Sequence, residues 1–299
     1  MRPVTPSSTR AKAPDHYENF PVASWLCPPR LRPPIVAIYA FARTADDIAD
    51  EGDAPAESRL RDLADYRADL ASAASGGVPS RRWPAVFGPL AAEIRAWQLP
   101  PRLLEDLLDA FAQDVEMTRD GATHPDRVSL LAYCHRSANP IGRLLLHLYG
   151  ITDADSLVRS DAVCTGLQLA NFWQDLSVDL PRGRHYLTDA DLARFGIDRA
   201  TLIAGHDTTA TRALVADNTA WARACLLQGA PLALRIPGRA GWELRLVVQG
   251  GLRILDRIAA LDHATLARRP TLGPADVLTM VWRALRMRPA SDGTIRAKT

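Results

Sequence analysis

The sequence predicts an all-α protein organised as a single domain, residues 15–286, with short tails at 1–14 and 287–299. Three observations carry this reading. From His16 onward the apolar residues recur mostly at helical spacing, and alternating β-branched runs are scarce. Pro and Gly residues mark the boundaries of the periodic segments. No Gly/Ser linker, internal repeat or low-complexity tract divides the chain.

The elements follow in order. Residues 1–14 are polar and rich in Pro and Ser, a composition that predicts disorder. Pro33-Pro34 opens a helix that Gly52 closes. Ser58 to Ala74 follows, ended by Gly76-Gly77, and then Trp83 to Trp97. Pro101 suits the first helical position of "PRLLEDLLDAFAQDVEMTRDG", which stops at Gly121. Ser129 to Tyr149 is a helix interrupted at "SANPIG", where Pro140 and Gly142 predict a kink. Asp155 to Leu180 forms one long helix stopped by Pro181. A short helix opens at Thr188, with Asp191 three residues on, close to a capping box. Later helices run over 208–228, 240–261 and 274–286.

Composition excludes several classes. The chain has 299 residues, 47% hydrophobic and 23% charged, ample for a sizeable core. Net charge is +2, which gives no electrostatic basis for nucleic-acid binding. Lys12 and Lys298 are the only lysines; nearly all positive charge is arginine, whose planar fork suits phosphate recognition. Cys27, Cys134, Cys164 and Cys225 show no metal-ligand or C-x-x-C spacing and read as free thiols of a reducing compartment. The N-terminal residues lack the apolar stretch of a signal peptide, and no apolar run reaches the ~18 residues of a spanning helix. The expected location is cytoplasmic, with peripheral contact at the inner face of the membrane open. The histidines His135, His147 and His185 read as structural, because no pair has zinc spacing.

Two acidic motifs stand out. "FARTADDIADEGD" places Asp46 and Asp50 four residues apart, about 40° apart on one helix face. Like charges at that spacing cost about 0.2–0.5 kcal/mol. Alone, the pair reads as a solvated helix end, and Arg43 as an ordinary i,i+4 partner of Asp47. "QLANFWQDLSVDLPRGRHYL" then places Asn171, Asp175 and Asp179 at i, i+4 and i+8, with Gln168 near the same stripe and apolar residues on both sides. No Lys or Arg falls between Arg159 and Arg182, so the stripe calls for a cation from elsewhere. Magnesium takes oxygen ligands and commonly bridges one or two carboxylates to substrate phosphates. Two such stripes facing each other would hold more than one ion and neutralise a diphosphate leaving group.

Together with "HYENF" and "YCHRSANPIG", these motifs resemble the squalene and phytoene synthase family, over roughly residues 16 to 285. The resemblance implies an isoprenoid-synthase-type helical bundle around a central cavity, and a prenyl diphosphate as substrate. It implies Mg²⁺-diphosphate ligands at Asp46, Asp50, Asn171, Asp175 and Asp179, and an arginine near the diphosphate at Arg43. A cavity tyrosine falls at Tyr39, an aromatic wall at Phe20 and a diphosphate-side position at His16. Gln168 faces the cavity, and Arg184 and Tyr186 lie in a segment that closes over the phosphates.

The chain departs from the family's condensing members at two places. Gln174 stands where they often carry Arg, and "SANPIG" replaces a small-residue kink, putting Ser137 and Asn139 near the cavity. In the combination of "HYENFPVAS", "TADDIADEGD" and "SANPIGR" it is most similar to the branch of bacterial hopanoid pathways that converts presqualene diphosphate to hydroxysqualene, a resemblance that implies quenching of a carbocation with water. Ser137, Asn139 and Gln168 are the candidate holders of that water. No G-x-G-x-x-G follows a strand, and no NADPH is expected. The alternatives are a synthase that condenses two farnesyl diphosphates, and a non-catalytic helical partner of other pathway enzymes. The intact acidic motifs argue against the last. Oligomeric state is not legible in the sequence.

Overall fold

The computed structural model describes residues 27–288. Within them every regular element is a helix. The expectations for residues 1–14 and for His16 and Phe20 lie outside the described residues, as does the tail beyond 288.

Helix α1 (Arg32–Asp50) starts on Pro33 and Pro34, whose missing N–H groups cost nothing in a first turn. It buries Ala37, Ile38, Phe41, Ala45 and Ala49 as one stripe. Helices α2 (Ala56–Ala74), α3 (Pro84–Trp97) and α4 (Pro101–Asp120) pack around it. Their shared core holds Phe41, Tyr66, Phe87, Leu70 and Leu104. The Tyr66 hydroxyl donates to the Phe41 carbonyl oxygen at 3.1 Å, so that even this phenol is satisfied.

The second half has its own core. Helices α5 (Arg127–Ser137) and α6 (Asn139–Leu148) are separated at Ala138, as "SANPIG" predicts. Gly142 lets α6 approach α7 (Ala154–Gln174) closely, because a Cβ there would overlap Ser160 Oγ and Cys164 Sγ. Helix α7 is buried along most of its length and packs on α11 (Thr209–Gly229) and α13 (Gly238–Ala260). Trp173, Leu169, Leu226, Leu255 and Ile258 form the centre of this core.

The long helix expected over 155–180 is not continuous. It bends at Asp175 (φ −101°, ψ 12°) and resumes as the single turn α8 (Leu176–Asp179), then a 3₁₀ turn Leu180–Arg182. Asp179 N–H still donates to the Asp175 carbonyl at 2.8 Å, so the bend re-aims the acidic residues without freeing the chain. Helix α9 (Asp189–Arg194) is capped by Thr188, whose hydroxyl accepts from Asp191 N–H, as expected. The Asp191 carboxylate pairs with Arg127 instead of closing the capping box. Two short helices were not legible, α10 (Arg199–Ile203) and α12 (Leu232–Arg235); each is too brief to show a period. Helix α14 (Pro274–Arg286) ends the described fold. No described helix is long and apolar enough to cross a membrane.

Candidate active site

A cavity of about 730 Å³ lies between the two cores, walled by α1, α4, α5, α6, α7, α13 and the segment around Arg269 to Leu272. Helix α1 sets its polarity. Ile35, Ile38, Tyr39, Ala42, Arg43, Asp46 and Asp50 all line it, apolar near the start of the helix and acidic near its end. Ile35 and Asp50 are 15 residues apart, so the two poles are separated by about 22 Å along the helix. At the apolar pole Ile141 and Leu145 join Ile35. A smaller apolar cavity of about 90 Å³ shares Ile35 and Leu145 as its wall.

The two acidic motifs meet here as expected. Asn171, Asp175 and Asp179 line the same cavity as Asp46 and Asp50, with Gln168, Ser137, Arg184 and Tyr186. Asn139 does not. Its side chain is buried, and its Oδ1 accepts from Thr165 Oγ1 at 3.0 Å between α6 and α7. Position N1 of a helix packed against α7 turns that side chain into the helix contact and away from the lumen.

Three of the carboxylates are paired with arginine, two of them with arginines from remote segments. Arg43 Nη1 lies 3.2 Å from Asp46 Oδ2, and Arg43 Nη2 lies 2.7 Å from Asp47 Oδ1. Arg184 pairs with Asp50 across 134 residues of chain. Arg269 holds Asp175 with both arms, Nε at 2.6 Å from Oδ1 and Nη2 at 3.1 Å from Oδ2. The missing cation of the second motif is therefore in part a guanidinium 94 residues downstream. Gln174 supports it: Gln174 Nε2 donates to the Pro270 carbonyl at 2.8 Å, fixing the strand of chain that carries Arg269.

Pairing is incomplete. Five cavity carboxylates (Asp46, Asp50, Asp114, Asp175, Asp179) face three guanidiniums, Arg43, Arg184 and Arg269. Burial pushes Asp179 up to about 7, with the Asp175 charge adding to it. Burial also pushes Asp114 up to about 7; the Tyr133 hydroxyl opposes this, while Asp46 and Asp179 reinforce it. Asp114 thus senses both acidic motifs at once. Its side chain faces the lumen, which leaves it accessible from inside while the surrounding protein strips most of its hydration.

Asp114 and Tyr133 are site residues that motif reading passed over. Tyr133 Oη donates to the Asp114 carboxylate. Tyr186 stacks on Phe172 with centroids 3.7 Å apart and planes 12° apart, and Tyr133 lies against both. Tyr186 is thus part of a buried aromatic wall beside Asp114. A signal for Asp114 was present: it continues the apolar stripe Leu104, Leu107, Phe111 of α4, where an acid is out of place. Arg269 had no local signal.

The donor set is oxygen-rich, hard and over-charged, the chemistry a divalent cation such as Mg²⁺ accepts. Among the described residues no group of three or more His, Cys, Asp or Glu side chains is already gathered as a metal cluster.

A helical bundle with two acidic motifs lining one end of an apolar cavity defines an isoprenoid synthase. The comparisons agree. The squalene/phytoene synthase family model matches residues 13–276. The chain is 32% identical over 91% of its length to a hydroxysqualene synthase of Sinorhizobium fredii, covering 89% of that protein. It is 31% identical to a presqualene diphosphate synthase of Rhodopseudomonas palustris over 60% of this chain and 61% of that one. Among solved structures, the squalene synthase HpnC of Alicyclobacillus acidocaldarius superposes with a TM-score of 0.74 at 34% identity, over 83% of this chain and 90% of that one. The chain belongs to the squalene/phytoene synthase family.

Proposed function

We propose that the protein is a hydroxysqualene synthase, converting presqualene diphosphate and water to hydroxysqualene and diphosphate. The observation that carries this is Ser137. Ser137 lines the cavity, and its buried Oγ has no hydrogen-bond partner. A polar group left unpaired in such a wall costs about 1–3 kcal/mol unless water satisfies it. It sits one turn from Tyr133, beside the apolar part of the lumen. The similarity to hydroxysqualene synthases supports the same reading.

In this reading Asp46, Asp50, Asn171, Asp175 and Asp179 would hold Mg²⁺. When bound, the ions would stabilise negative charge on the departing diphosphate. Arg43, Arg184 and Arg269 move from carboxylate to phosphate oxygens, and their forks suit that geometry. The C–O bond to diphosphate breaks, with the electron pair leaving on oxygen. Tyr39, Tyr133, Phe172 and Tyr186 offer aromatic faces to the cation, worth about 0.5–2 kcal/mol each. The apolar pole excludes bulk water. The one water held at Ser137 Oγ adds its oxygen to the cation and loses a proton to the released diphosphate. No hydride donor, and so no NADPH, enters the scheme.

The test is a product assay with Mg²⁺ and no NADPH. Presqualene diphosphate should yield hydroxysqualene, and farnesyl diphosphate should remain untouched. Consumption of farnesyl diphosphate would assign a condensing reaction instead. Ser137→Ala should shift the product from alcohol toward alkenes; an unchanged product would remove Ser137 from the role.

A further inference from the structure

Helix α14 is amphipathic with its faces reversed. Its polar side is turned to the protein: Asp276 is fully buried, 2.6 Å from Arg253 Nε and 2.7 Å from Arg257 Nη2, and Arg283 Nη1 lies 2.6 Å from Asp256 Oδ2. Its apolar side faces out. Val277, Leu278, Val281, Trp282 and Leu285 fall at i, i+1, i+4, i+5 and i+8, one stripe, and all are exposed, Leu278 to 75% and Leu285 to 62%. A surface helix of a globular protein does the opposite. No acid interrupts the stripe, and its border is basic. The Arg286 guanidinium lies over the Trp282 ring at 4.1 Å, and Arg288 is exposed beyond it.

We propose that this face docks on an anionic lipid bilayer surface. Four observations select that occupant. Leu and Val side chains with a tryptophan at the edge and arginines around it are the composition of a helix lying in the membrane interface. The only acid of the helix is neutralised inside the protein, so its outward charge is positive and complements anionic headgroups. The stripe is one helix wide and about 12 Å long from Val277 to Leu285, short by itself of the ~800 Å² per partner of a stable dimer. Thr271 and Leu272, immediately before α14, line the central cavity, so docking would bring the cavity wall within about 20 Å of the lipid. The proposal does not depend on which reaction the cavity performs.

The experiment is co-sedimentation of the full chain with phosphatidylcholine vesicles, with and without phosphatidylglycerol. The wild type should pellet with the anionic vesicles and be released by high salt. Leu278→Ser with Leu285→Ser should lower partitioning by about tenfold or more, given the loss of roughly 0.8 kcal/mol per CH₂ removed from lipid. Arg286→Gln with Arg288→Gln should abolish the preference for anionic over neutral vesicles. Thermal melting should leave both variants folded, since all four positions are exposed. Equal pelleting of wild type and the leucine variant would overturn the proposal. So would a wild type that ignores vesicles and sediments as a dimer which the leucine variant converts to monomer.

Discussion

Two of the aspartate–arginine networks among the described residues are built on opposite balances. Around Asp276, at the junction of α13 and α14, arginine is in excess. Arg257 chiefly, then the Gly273 N–H and Arg253, hold its carboxyl well below the usual carboxylate range. In the cavity the acids are in excess, and Asp114 and Asp179 are pushed up to about 7. The first network is complete and holds a helix in place. The second is short of positive charge, and it lies where the proposed reaction places the diphosphate and its metal ions. A protein that only needed stability would have balanced both.

The largest effect that can break this comparison is on activity. Asp175→Asn should lower kcat/KM by at least about 10²–10³-fold in the Mg²⁺ product assay, the scale of removing one preorganised electrostatic group. The Tm of the same variant should fall little, because a like charge beside Asp179 goes with it. A large Tm loss with intact turnover would make the cavity acids structural. Asp276→Asn should do the reverse. It breaks a buried pair and should cost about 2–3 kcal/mol in denaturant titration, toward the low side because Arg253 and Arg257 keep some exposure, with kcat retained.

The pH dependence sharpens the contrast, since the two networks have opposite signs. Asp276 has a lowered folded pKa, so its contribution is present above about pH 4 and is lost as pH falls through the folded value. The acid limb of Tm against pH should flatten in Asp276→Asn. Asp114 has a raised pKa, so the folded state binds the extra proton between about 4 and 7, and stability falls as pH rises through that window. Asp114→Asn should remove its share of that fall from the metal-free protein and leave the share of Asp179, which is raised to about 7 as well. The smallest expected effect belongs to Gln174→Leu. It releases the Pro270 carbonyl and loosens Arg269, and should raise KM several-fold with a smaller change in kcat.

Much of the fold was legible because its signals are local. Pro33-Pro34, Pro101 and Gly121 bound their helices as their backbone chemistry requires, and "SANPIG" divides α5 from α6 at the residue before Asn139. The acidic motifs were legible because four-residue spacing on a helix is a local property. Asn139 was misplaced because lumen and helix contact differ by a small rotation about α6, which one sequence does not set.

The sequence by itself determined the helices, most of their ends, the family and the two carboxylate motifs. Each rests on periodicity, on backbone restriction or on residues close together in the chain. Only the tertiary structure decided the bend at Asp175, the pairing of Asp50 with Arg184 and of Asp175 with Arg269, the place of Asp114 between the motifs, and the outward turn of the apolar face of α14. Charge interactions act through space, and their partners here lie up to 134 residues apart, where no spacing rule can reach.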